Sequence, residues 1–216
     1  MPALRAPIEK QRKQPIQARS TATVDAILEA ALQVLVHVGK EKLTTTLVAQ
    51  RAGVSVGTLY QYFPNKRSLL QAVLRKHLSQ VTEIFESTCK AQQGQALCPM
   101  IRAIATAFFQ AKMQQPRAGL ALYAVSADID GLSITEDLRL RQEAAFAAAL
   151  ASSPERLSVE ATLVAFTLQS TMIGVARRIL ESRIPVREHA GLHQELLSML
   201  CAYVAAITVP APPLRS

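Results

Sequence analysis

Tryptophan is absent from the 216 residues, and aromatic side chains make up only 5% of them. Any core must therefore be built mainly from aliphatic residues and alanine. The three cysteines, Cys89, Cys98 and Cys201, are odd in number and far apart in the chain. They suggest neither a disulfide framework nor a zinc site. Acid is scarce at one end: residues 1–80 hold 12 Lys+Arg against 4 Asp+Glu, a balance of +8, whereas residues 81–216 hold 12 of each. The whole excess charge belongs to the N-terminal segment, the footprint of a polyanion binder; a solubilising excess is the alternative. No uninterrupted apolar run reaches the ~18 residues of a membrane span. The nearest, 163–175, is broken by Thr167, Gln169, Ser170 and Thr171. No apolar leader of the signal-peptide kind is visible, so a reducing cytoplasm without membrane contact is expected. There is no internal repeat and no strand-period pattern. The remaining periodicity is helical, and an all-α fold is expected.

Residues 1–19 carry Pro2, Pro7 and Pro15 among basic residues. They read as a flexible arm that either reaches along DNA or is an idle leader. A head is expected over 20–80, a larger helical body over 81–209 and a disordered tail over 210–216. The head's first helix should start at Ser20 or Thr21 and end at Gly39. Its apolar face is Val24, Ile27, Leu28, Ala31, Leu35 and Val38.

Leu43 to Lys66 organises the head. Thr44 or Thr45 can cap a helix running to about Ala52. Gly53 supplies a turn needing positive φ, and Ser55 caps a second helix, Val56 to Tyr62. Val56, Leu59 and Phe63 share the inward face. Gly57, Thr58 and Gln61 then point outward, flanked by Tyr60 and Tyr62. An outward face of small and hydroxyl-bearing residues suits a helix-turn-helix docked in DNA. Hydroxyls can bond phosphates and bases, a glycine permits close approach, and a glutamine can pair with adenine. Pro64 stops this helix, and Asn65 can cap the next, Lys66 to about Lys90. Lys66 and Arg67 fall in its first turn, where the helix dipole prefers acids. A nearby phosphate would reverse that preference; two solvated cations are the alternative.

Gly53-Val54-Ser55, Gly57-Thr58-Leu59-Tyr60 and Tyr62-Phe63, followed by Lys66 and Leu69, resemble the DNA-binding head of the TetR family of bacterial transcriptional regulators. The resemblance covers about residues 20–80. It implies that Thr45 and Thr46 meet the DNA backbone, that Ser55, Gly57 and Thr58 approach the groove, and that Tyr60 and Tyr62 reach phosphates or base edges. Lys66 would clamp a phosphate. Tyr62 departs from the histidine of many members, which leaves its contact open, as is that of Gln61. The resemblance further implies an all-helical body, a homodimer through its last two helices, and a pocket for a small-molecule effector.

The body reads as helices over Leu97–Met113, Arg117–Ala127 and Ser133–Ser152. A long helix opened by Pro154 runs to about Arg183, and a last one covers Val186 to about Val209. Phe85, Phe108, Met113, Tyr123, Phe146, Gln169 and Met172 either line a pocket or fill a core. Small residues on the last two helices, Ala165, Gly174, Ala176, Ala202 and Ala205, suit close packing in a four-helix dimer interface. His189 and His193 share a helix face without a third ligand, and Asp128-Ile129-Asp130-Gly131 reads as a turn. No nucleophile stands with a base, and neither a phosphate loop nor a redox pair is present, so neither an enzyme nor a cofactor is expected. The best reading is a repressor released from a palindromic operator by a small apolar or amphipathic ligand. The competing reading keeps the fold but makes the head a protein-interaction module, or the chain a sensor that binds no DNA.

Overall fold

The structure is a computed structural model that describes residues 16–182 and 184–209, with side chains from residue 19 onward. The arm over 1–15 and the tail over 210–216 lie outside the described residues. Among the described residues ten α-helices follow one another: α1 Ile16–Lys42, α2 Thr45–Ala52, α3 Val56–Tyr62, α4 Lys66–Ala91, α5 Leu97–Met113, α6 Pro116–Ser126, α7 Gly131–Ile134, α8 Glu136–Ala151, α9 Ala161–Glu181 and α10 Val186–Ile207. A 3-10 turn, Ala127–Ile129, joins α6 to α7. The β-pairing among the described residues is one antiparallel bridge between Leu157 and Thr208. The fold is all-α, with a helix-turn-helix head followed by a larger helical body.

Several expected boundaries move. Helix α1 runs through Ser20 and Thr21 rather than starting at them. Gly39 breaks its geometry as expected, at φ 77° and ψ 171°, and one further turn follows to Lys42. The helix expected over Ser133–Ser152 is two, α7 and α8, because Asp130 turns left-handed (φ 53°) and Thr135 interrupts at φ −116°. The helix expected from Pro154 starts only at Ala161. Residues 152–160 instead run irregularly under the end of α10, tied by Ser158 N–H to Ile207 O (2.8 Å) and Val209 N–H to Arg156 O (2.8 Å). Those backbone bonds to a distant helix outcompete local helix formation.

Two apolar clusters result. The first gathers Ile27, Ala31 and Leu35 of α1, Val48 and Ala49 of α2, Leu59 of α3, Phe63, and Leu69, Leu70 and Val73 of α4. Leu122 and Val125 of α6, with Ile129, complete it. The second gathers Phe85, Met100, Ile101, Ile104, Phe108, Phe146, Leu168, Met172, Leu197 and Leu200, among others. Helix α4 belongs to both: its first half packs in the head and its second half, from Val81, in the body. Such a shared helix, together with α6 seated against the head, is a rigid path between the two ends of the molecule.

Averaged over an 18-residue stretch, three helices among the described residues, Arg19–Lys42, α9 and α10, are long and apolar enough to cross a membrane. This differs from the reading by uninterrupted runs, because alanine and leucine outweigh the scattered polar residues. Each of the three is one-sided. The buried stripe of α1 feeds the head core, while α9 and α10 turn Val164, Leu168, Leu196 and Leu200 into the body core.

The cysteine expectation is corrected. Cys98 at the start of α5 and Cys201 near the end of α10 are disulfide-bonded across 103 residues of chain. Sequence spacing missed the pair because antiparallel helices bring distant positions together. Only Cys89 is a free thiol, and it is buried.

Candidate nucleic-acid interface

Side-chain caps set the two short helices of the head. Thr44 Oγ1 accepts the Leu47 amide hydrogen at 3.2 Å, which starts α2 at Thr45. Gly53 closes it in the left-handed region (φ 69°), a conformation glycine adopts without steric cost. Ser55 Oγ accepts the Thr58 amide hydrogen at 2.9 Å and starts α3. Such a cap contributes about 1 kcal/mol. Asn65 and Ser68 then form a reciprocal capping box that starts α4.

Burial fixes which side of α3 is free. Leu59 is fully buried and Phe63 is buried at its end, while Ser55, Gly57, Tyr60, Gln61 and Tyr62 are exposed and Thr58 is half-buried. Tyr60 and Tyr62 keep 47% and 36% of their surface in solvent, so both rings flank the free face rather than fill the core. Thr46 is exposed on α2. Thr45 Oγ1 and Tyr60 Oη lie 3.0 Å apart, a bond that ties α2 to α3 and holds the ring in place. A Cβ at Gly57 would meet only Ser55 Oγ, at 3.7 Å. Nothing inside the chain requires glycine there; the open space lies in front of the helix.

Lys66 behaves differently from the expectation. Its Nζ donates to the Lys40 carbonyl oxygen at 2.6 Å. That oxygen belongs to the turn after the Gly39 break, so Lys66 caps the frayed end of α1. A cation at a helix C-terminus complements the dipole, and its placement at the start of α4 is accounted for without a phosphate. An ammonium has three donors, which leaves capacity for a second acceptor.

The electrostatics of the head are likewise less bare than the sequence charge suggests. Lys40 pairs with Asp128 at 2.7 Å, Arg67 with Asp130, Arg75 with Asp137, and Lys76 with Asp25 at 2.7 Å. The hydrogen bond to Asp128, then its charge, raises the Lys40 ammonium above its ordinary range. Bonding to Arg75 lowers the Asp137 carboxyl. Gln71 Nε2 adds a bond to the Ile129 carbonyl at 2.9 Å. The Asp128–Asp130 turn is thus a clasp on the head, a role that the sequence left as a bare turn. Among the described residues, Lys42, Arg51 and Lys66 have no carboxylate partner. The exposed pairs of Lys40, Arg67, Arg75 and Lys76 are weak and salt-sensitive.

The seven residues expected to line a pocket or fill a core are mostly packed together. Phe85, Phe108, Phe146 and Met172 are buried. Phe85 meets Phe108 and Phe146 edge-on, at 5.9 and 5.5 Å between ring centroids. Met113 and Tyr123 are half-buried. Gln169 is buried, donates to Gln142 Oε1 at 2.7 Å, and leaves its own Oε1 without a partner; Gln142 in turn donates to Thr82 Oγ1 at 2.6 Å. A surface groove of about 1380 Å³ lies elsewhere, between α1, α2 and the start of α6, lined by His37, Leu47, Arg51 and Arg117 among others.

Sequence reasoning missed Lys112. It is buried, has no carboxylate partner among the described residues, donates weakly to Tyr123 Oη at 3.4 Å, and sits 5.7 and 5.6 Å from the centres of the Phe108 and Tyr123 rings. Burial pushes its ammonium down to about 8. Its position beside Phe108 and Phe109 on α5 is the one signal that could have marked it. His77 is lowered by burial and then by the Lys112 charge. His193 stacks on Phe109 at 4.6 Å, and His189 bonds the Ile184 carbonyl at 3.2 Å. Among the described residues no group of three or more potential metal ligands gathers.

The face of α9 and α10 turned away from the core carries exposed apolar residues among polar ones. Leu163 and Phe166 on α9 are 57% and 51% exposed, and Met199 on α10 is 50% exposed. Gly174, Ala202 and Ala205 are exposed, whereas Ala165 and Ala176 are buried in the body core.

Residues 27–73 match the family described as "Bacterial regulatory proteins, tetR family", and residues 97–203 match "Tetracyclin repressor-like, C-terminal domain". The chain is 42% identical over 62 residues to the uncharacterized HTH-type transcriptional regulator YvkB of Bacillus subtilis, covering 29% of this chain and 33% of that one. It is 44% identical over 55 residues to the tetracycline repressor protein class C of Escherichia coli, covering 26% and 25%. The chain thus spans a third or less of the length of these curated relatives. Its fold is similar to that of a TetR-family transcriptional regulator from Mesorhizobium loti, with a TM-score of 0.75 at 20% identity over 88% of this chain and 99% of that one. Both ends of the chain point the same way, head and body alike: it belongs to the TetR family of bacterial transcriptional regulators.

Proposed function

We propose that the protein is a homodimeric, cytoplasmic repressor that binds a near-palindromic operator through α3 and is released by a small amphipathic ligand. The observation that carries this reading is the outward face of α3. Ser55, Gly57, Tyr60, Gln61 and Tyr62 are solvent-exposed, on the N-terminal segment 1–80, arm and head together, that holds the whole +8 charge excess of the chain. Thr45, Thr46 and the spare donors of Lys66 are the backbone-contact set, and Thr58 completes the groove face. Two such heads on a two-fold dimer fit two half-sites. The exposed apolar residues Leu163, Phe166 and Met199 support a dimer through α9 and α10.

The effector reading is supported by the body core. The unpaired Oε1 of Gln169 and the uncompensated charge of Lys112 are polar anchors inside apolar surroundings. An amphipathic molecule with an acidic head would satisfy a buried ammonium that the described residues leave without a carboxylate. Such a ligand shifts the population towards the body geometry it binds best. Helices α4 and α6 carry that change to the head, since both pack in the two ends of the molecule or at their seam. Selection from a random duplex pool tests the reading: it should enrich a near-palindrome. Recovery of no preferred sequence would overturn it.

A further inference from the structure

Cys98 and Cys201 are joined by a disulfide across a seam that apolar side chains also fill. Disulfides hold together small domains whose cores are too thin to stand alone. Here the seam they bridge is already filled: Leu97, Met100, Ile101 and Ile104 of α5 pack with Leu196, Leu197, Leu200 and Val204 of α10 in the same apolar cluster. Their Cα atoms are 5.2 Å apart, a separation at which the bond opens and closes without moving the backbone. Both residues are half-buried, so solvent reagents reach them. The third thiol does not compete. Cys89 is buried, and desolvation pushes it up to about 12, where almost no thiolate exists to react.

We infer that Cys98 and Cys201 form a reversible thiol–disulfide switch that pins α10 to α5. The inference rests on the proposed DNA-binding role only for the compartment, a reducing cytoplasm where a disulfide is a transient, sensing bond rather than a permanent one. In the closing direction a peroxide is the oxidant. One cysteine thiolate attacks it and becomes a sulfenic acid; the second thiolate attacks that sulfur and expels water. In all, two S–H bonds are lost, one S–S bond forms, and the peroxide takes two electrons and two protons. In the opening direction a dithiol or glutathione attacks one sulfur, and the mixed disulfide is resolved by a second thiol, which carries the oxidation away. The consequence falls on α10. Cys201 stands between the exposed Met199 and Ala202, so the bond fixes the very stretch that presents them on the outer face.

The test uses the full chain and no DNA, so a failure to bind an operator leaves it unaffected. Protein is equilibrated in buffers of varying glutathione to glutathione disulfide ratio, quenched with an alkylating reagent and weighed. Two alkylatable thiols should be lost and regained across the series, and hydrogen peroxide should give the same two-thiol loss. Closing a loop of 103 residues should raise the thermal midpoint of the oxidised form by about 5–10 °C. Cys98→Ser and, separately, Cys201→Ser should abolish the difference between oxidised and reduced samples, with the reduced wild-type chain as the reference for folding. Three results would each overturn the inference: thiols that stay reduced at every ratio and in peroxide, a bond that persists in excess reduced glutathione, or an unchanged thermal difference in both serine variants.

Discussion

Replacing Lys112 with methionine should stabilise this protein, and the gain should vanish in alkali. Lys112 is buried and its ammonium is held down to about 8 from an ordinary 10.5. Each unit of such a shift corresponds to about 1.4 kcal/mol, so keeping the charge inside costs on the order of 3 kcal/mol. The contacts with Tyr123 Oη and the two aromatic rings return part of that, about 1 kcal/mol in all. Methionine fills a similar volume without the charge. The net gain at pH 7 is therefore about 2 kcal/mol, or roughly 4–8 °C in thermal midpoint for a chain of this size. The sign follows from proton counting. Between about 8 and 10.5 the unfolded chain holds the Lys112 proton and the folded chain has lost it, so wild-type stability rises with pH through that window relative to the variant. Thermal unfolding of both proteins from pH 7 to pH 10 measures the gap. A gap that stays constant, or a variant less stable than the wild type at pH 7, would refute the buried-charge reasoning.

Gly131→Ala should destabilise the protein by at least 2 kcal/mol by denaturant titration. Its new Cβ would fall 2.9 Å from Leu74 Cδ2 and from the Ser126 carbonyl oxygen, and closer still to Ser126 Oγ. Lys66→Met should lower the thermal midpoint by a few degrees, since it removes a charge-assisted bond to the Lys40 carbonyl that is worth about 1.5–3 kcal/mol. The same change should flatten the dependence of operator affinity on salt by about one ion. On the acid side, burial holds the His77 and His193 imidazoles below their ordinary 6.5. The unfolded chain then binds protons first, so stability should fall as pH drops through 6.5, and His77→Gln should reduce that slope.

The head was legible because its signals are local. Thr44, Gly53, Ser55 and Asn65 cap or turn within three residues of the groups they bond, so their roles could be read from spacing alone. The inward set of Leu59 and Phe63 followed from helical period in the same way. What escaped were the long-range partnerships. Lys66 bonds a carbonyl 26 residues away, and the Asp128 carboxylate meets Lys40 across 88 residues. Cys98 meets Cys201 only because α5 and α10 pack side by side. The late start of α9 has the same origin, since residues 152–160 bond the end of α10 instead of coiling on themselves. Charge counting located the basic end but could not tell that three body carboxylates, Asp128, Asp130 and Asp137, already hold head cations. Those exposed ion pairs tie the head to the body.

Whether α3 offers its outer face to DNA is tested most directly by Gly57→Ala. Inside the protein the added methyl meets nothing closer than Ser55 Oγ at 3.7 Å. An alanine in a helix is favoured over glycine by about 0.5–1 kcal/mol, so the folded protein should become slightly more stable. Against DNA the same methyl occupies the space through which the backbone approaches. The expected result is a raised thermal midpoint together with at least a tenfold loss of affinity for the selected operator duplex, about 1.4 kcal/mol. A more stable variant that binds that duplex as tightly as the wild type would contradict the assignment of this face to DNA.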